Sequence, residues 1–172
     1  MVFSVNIYLG ASIAFMFCLI IPTILVFALK KHEKTLKITT LVFLTLYLIL
    51  LFIGTTAELG YNGTTATFIV VFNKSWFTPS FMWFGTGILN LLVNIFLLFP
   101  VGFITFVFAK KHKFLKTILL AFALSIFIET YQMVLPIHRN TELGDVILNT
   151  ISGAISAIYC FILSKLGAFN KQ

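Results

Sequence analysis

Five long apolar runs, separated by short polar stretches, dominate the chain. They extend from Val5 to Leu29, Ile38 to Ala57, about Gly87 to Ala109, Thr117 to Leu135 and Asp145 to Leu163. A helix of about 20 apolar residues crosses the hydrocarbon core of a bilayer, and each run has that length. Pro22 lies near the end of the first run, Pro100 and Gly102 interrupt the third, and Pro136 ends the fourth. Such breakers are tolerated in membrane helices where neighbours satisfy the freed backbone groups. The first run has no basic flank before it and exceeds a signal-peptide core, so a retained helix is expected. The predicted fold class is an all-α integral membrane protein, a bundle of about five transmembrane helices forming a single domain over residues 1–172.

One stretch departs from this pattern. From Glu58 to Phe84 the chain is only weakly hydrophobic, with a turn signal at Asn62-Gly63, a β-like run from Ala66 to Phe72, and aromatics at Trp76, Phe77, Phe81, Trp83 and Phe84. Tryptophan anchors a segment at the headgroup level, and a lone strand with open edges cannot sit in hydrocarbon. An extracellular segment on the membrane surface is expected, built as a short hairpin or an interfacial helix.

Composition reinforces the choice of solvent. Of 172 residues, 60% are hydrophobic and 10% charged; a soluble domain carries about 25% charged residues. The net charge is +7, and its placement matters more than its sum. Lys30, Lys31, Lys34 and Lys37 form one cluster, and Lys110, Lys111, Lys113 and Lys116 another. Both lie between apolar runs rather than on a continuous basic face, which argues against nucleic acid as a partner. Alternating the runs across a bilayer brings these loops and the tail, with Lys165 and Lys171, to one side. That side then holds ten of the twelve basic residues, leaving Lys74 and Arg139 opposite. Basic loops stay cytoplasmic, so a multi-pass protein with the N-terminus outside and the C-terminus inside is expected. Cys18 and Cys160 fall inside apolar runs and behave as small hydrophobes.

Candidate chemistry begins with Glu129, the one carboxylate well inside a run. An ionisable group at mid-bilayer costs at least ~2.5–3.5 kcal/mol, so its presence calls for a reason. Gln132 follows three residues later and Ser125 precedes by four, on the same helix face. The fifth run carries Asp145, Asn149, Ser152 and Ser156 at helical spacing, and the third carries Asn90 and Asn94. Three helices thus present polar groups at similar depth, with Arg139 and Glu142 on the loop above. The plainer alternatives are interhelical hydrogen bonding for Asn90, Ser152 and Ser156, and helix capping for Asp145. His32, His112 and His138 have no spaced partners, so no metal site is expected. No nucleotide or hydrolase fingerprint is present, and no cofactor is expected.

The segment ETYQ followed by GDVILNTISGAISA resembles the VanZ-like family of bacterial membrane proteins. The matching positions are Glu129, Gln132, Asp145, Asn149 and Gly153, with Asn94, Pro100 and Gly102 matching an Asn–apolar–Pro–x–Gly segment. Ser152 and Ser156 stand where the family often has glycine. The resemblance covers about Asn90 to Ile162 and implies a bacterial cell-membrane location and a link to teicoplanin resistance.

Two classes of function fit. In the first, Asn94, Glu129, Gln132, Arg139, Asp145 and Asn149 line an outward-facing pocket for a membrane lipid, a lipid-linked envelope molecule or a lipophilic glycopeptide. In the second, the protein is an intramembrane enzyme acting on an envelope lipid, with Glu129 as general acid or base; no activated nucleophile is visible. A proton-coupled transporter is a third, weakened by the lack of an internal repeat, although a homo-oligomer would supply the second half.

Overall fold

The computed structural model describes residues 2–6, 16–56, 58–61, 65–69, 81–82, 94–135 and 141–169. In chain order these form β1 (Val2–Asn6), a π-turn (Met16–Ile20) running into α1 (Ile21–Leu29), α2 (Glu33–Thr56), β2 (Glu58–Tyr61), β3 (Thr65–Ile69) and β4 (Phe81–Met82). After them come α3 (Pro100–Phe108), α4 (Lys113–Val134), β5 (Thr141–Glu142) and α5 (Leu143–Lys165). The molecule is mostly helical. Helices α2, α4 and α5 are each long and apolar enough to cross a membrane, whereas Phe17–Leu29 and Asn94–Phe108 are shorter apolar helices.

Which faces are buried identifies the solvent for which the helices are built. Helix α4 turns Thr117, Ala121, Ser125, Glu129 and Gln132 inward and exposes Leu119, Phe122, Ile126 and Phe127, the last 66% accessible. Helix α2 likewise buries Thr40, Tyr47, Thr55 and Thr56 while exposing Leu41, Val42, Ile49 and Phe52. In water these faces would form an aggregation surface; in lipid they are the contact surface.

At the centre lies α3, whose residues Pro100 to Val107 are all buried among α2, α4 and α5. Pro100 has no N–H to give, and the chain tightens around it: Phe99 N–H bonds to Phe96 O, Val101 N–H to Leu98 O and Gly102 N–H to Phe99 O. This shift frees the Leu97 carbonyl, which accepts from the Tyr47 hydroxyl at 2.9 Å. The Phe99 carbonyl accepts from the buried Ser156 hydroxyl. Gly102 permits that approach, because a Cβ there would overlap Ser156; a Cβ at Gly153 would overlap Ala121. Helices α3, α4 and α5 therefore meet through small residues, as membrane helices do when dispersion replaces the hydrophobic effect.

Short strands accompany the helices. β1 and β2 flank β3 in an antiparallel sheet, with Val2 opposite Ile69 and Glu58 also opposite Ile69. Of the two alternatives expected after α2, hairpin or interfacial helix, the antiparallel pairing of β2 with β3 matches the hairpin; Asn62-Gly63 lie outside the described residues. Val5 and Asn6, expected to open the first helix, instead belong to β1. Residues Phe81–Met82 pair in parallel with Thr141–Glu142.

At the opposite end of α2 the two basic loops and the C-terminal tail converge. Gly167 adopts φ +77 and ends α5, with Ala168 N–H bonding to Leu163 O and Gly167 N–H to Ser164 O. The tail then folds back so that the Phe169 ring meets Phe106 at 5.5 Å.

Candidate functional site

The sequence-selected polar residues gather around the C-terminal half of α4 and the N-terminal half of α5. Helix α5 begins at Leu143, two residues before Asp145, so Glu142 occupies the N-cap and Asp145 the first turn. Of the two roles weighed for Asp145, helix cap or site residue, the cap falls to Glu142. A carboxylate in the first turn is stabilised by the exposed amide dipoles. Asp145 also accepts from the Asn94 side-chain amide at 2.5 Å, joining α5 to the turn that precedes α3.

Glu129 is 5% exposed, and its carboxylate accepts the Glu142 backbone N–H at 2.9 Å. The Thr141 hydroxyl donates to the Glu129 carbonyl at 3.3 Å. The acid thus satisfies a main-chain donor at the start of the next helix, a group that would otherwise be orphaned in a buried place. Gln132 donates from its side-chain amide to the Thr55 carbonyl at 2.7 Å, and the Tyr131 and Thr55 hydroxyls share a bond at 2.5 Å. These contacts fix the C-terminal end of α2 against α4.

Below this layer the polarity continues inward. Asn149, 1% exposed, donates to the Ser125 hydroxyl at 3.1 Å. Among the described residues its side-chain oxygen has no partner, nor does the Ser152 hydroxyl one turn further in, which is fully buried. Two unpaired polar atoms on consecutive turns of one face are unusual, since buried polar groups are nearly always satisfied.

Asn94, Glu129, Gln132, Asp145 and Asn149 therefore lie in one connected region, but they divide into pairs: Asn94 with Asp145, Gln132 with α2, Asn149 with Ser125. Arg139, His138 and Asn90 lie outside the described residues. Ser156 serves as interhelical glue, as its residue type suggested. Several participants were missed from sequence: Thr55, Thr141, Tyr131 and the Glu142 amide. The Thr55-Thr56 pair at the end of an apolar run is a visible signal for the first; a backbone amide carries none. Among the described residues no three His, Cys, Asp or Glu side chains assemble as a metal site.

A family model described as VanZ/LLP1 matches residues 7–164. No curated protein and no solved structure matches the chain.

Proposed function

Because the chain belongs to the VanZ/LLP1 family and contains helices made for a bilayer, we propose that it is a multi-pass protein of the bacterial cell membrane that confers tolerance to a teicoplanin-type glycopeptide. The ligand is a lipophilic glycopeptide or a lipid-linked envelope molecule, held by its polar group while its chain stays in the bilayer. Asn94, Glu129, Gln132, Arg139, Asp145 and Asn149 form the binding region.

The observation that carries this reading is the pair of unsatisfied atoms, Asn149 Oδ1 and Ser152 Oγ. Each costs free energy while unpaired and is relieved by a hydroxyl or amide donor on a ligand. Glu129 contributes by setting the start of α5, and thereby the place of Asp145 and Asn149. Its engagement with the Glu142 amide speaks against a freely acting general acid, so the enzymatic reading is the weaker one.

The membrane arrangement proposed is about five crossings, with the N-terminus and residues 58–84 outside and the C-terminus inside. Two features support it. The β1–β3–β2 sheet ties the first residues to the chain leaving α2, so an even number of crossings separates them. The lysine loops meet at the other end of α2, where the positive-inside rule puts the cytoplasm.

A susceptibility assay tests the function. Expression of the wild type raises teicoplanin tolerance, and Asp145→Asn or Asn149→Leu removes most of that gain at equal membrane abundance. Unchanged tolerance in both variants contradicts the proposal.

A further inference from the structure

At the lysine-rich end, far from the polar region just described, a shallow groove opens between α2, α3 and α4. It is lined by Glu33, Leu36, Lys37, Phe106, Lys113 and Phe169, with Val107 at its floor. Leu36, Phe106, Val107 and Phe169 are buried apolar side chains. Cations stand over them. Lys113 spends one ammonium hydrogen on the Phe106 carbonyl at 3.1 Å and lies 5.9 Å from the centre of the Phe106 ring. An ammonium carries three donors, so two remain for another acceptor. Lys37 pairs with Glu33 at 2.5 Å, which neutralises the one acid in the groove. Lys110 is close enough to act on the same carboxylate. Lys37 and Lys110 thus act on the one carboxylate while Lys113 stands over Phe106, leaving excess positive charge above an apolar floor.

We propose that this groove seats the headgroup of an anionic phospholipid. Its phosphate lies between Lys113 and Lys37, and its glycerol backbone covers the ring of Phe106 and the side chain of Leu36. Exposed apolar side chains flank both lysines: Ile38 and Leu41 follow Lys37, and Phe114 and Leu115 follow Lys113. A lipid anchored at the groove therefore has lipid-facing surface along which its acyl chains run. A free phosphate would use the cations but leave that apolar surface unmatched. Basic pockets between helices on the cytoplasmic side, the side this end faces in the topology proposed above, attract acidic lipids by the same physics.

The test uses the full chain in nanodiscs of phosphatidylcholine with a minority of phosphatidylglycerol, reading retained lipid by native mass spectrometry. Wild type retains phosphatidylglycerol selectively, and Lys113→Gln lowers that retention about fivefold, the worth of one lysine near a charged surface. Lys37→Gln, which frees Glu33 to repel the phosphate, lowers it at least as much. Lys113→Arg keeps the charge and the lipid. Lys116→Gln removes the same charge from an exposed position outside the groove and lowers retention much less than either groove variant. Three outcomes overturn the proposal: wild-type retention in both glutamine variants, equal loss in Lys116→Gln, or full displacement by glycerol 3-phosphate. The last would mark a soluble-anion site. Failure here leaves the outer site untouched, because no residue is shared.

Discussion

Glu129 offers a clean separation of charge from shape. Its carboxylate accepts the Glu142 backbone N–H, and a glutamine at that position presents an amide oxygen to the same donor. Glu129→Gln is therefore expected to keep nearly the wild-type thermal midpoint in detergent. Glu129→Leu leaves the Glu142 amide buried and unpaired and costs ~1–3 kcal/mol, read as a clear drop in that midpoint. Ser152 separates stability from function in the opposite sense. Its hydroxyl has no partner among the described residues, so Ser152→Ala is expected to leave thermal stability unchanged or slightly raised, while teicoplanin tolerance falls. A destabilised Ser152→Ala protein would mean the hydroxyl is satisfied within the fold. At this scale the sequence was informative about side chains and silent about main chain. An acid in an apolar run is conspicuous because burying charge is costly; that its partner is the Glu142 amide depends on where α5 begins, which no side chain announces.

The helices are joined by absences as much as by contacts. Gly102 and Gly153 are places where a Cβ would strike Ser156 and Ala121. Gly102→Ala should displace the Ser156 hydroxyl from the Phe99 carbonyl and cost ~1–3 kcal/mol through overpacking. Ser156→Ala removes only an interhelical hydrogen bond, and ~1 kcal/mol is the expected loss; thermal unfolding of both variants ranks them. Where apolar runs are long, the helices were legible: α4 and α5 lie within a few residues of their expected limits, extended by polar first and last turns that hydropathy alone discounts. The N-terminal strand was not legible. Val2–Asn6 is apolar enough to merge with the run behind it, short apolar segments do not distinguish strand from helix, and β1's partner lies some sixty residues away. Pro100 was visible as a break, but Tyr47 as the group that repairs it was not, because the repair comes from another helix.

For the whole molecule, the two ends differ in chemistry: amides and carboxylates at one, lysines over phenyl rings at the other. Lysine placement is what the proposed orientation rests on, because loop charge constrains topology without any tertiary information. In a background lacking Cys18 and Cys160, Lys111→Cys and Lys165→Cys are expected to react with a membrane-impermeant thiol reagent only after permeabilisation. The most direct test of the proposed outward-facing polar site places the probe at its rim, on the half-buried Asp145. Asp145→Cys in the same cysteine-free background is predicted to react with that reagent applied to intact cells, and to react more slowly when teicoplanin is present. A thiol at this position that reacts from neither side, or only from the cytoplasmic side, contradicts the account.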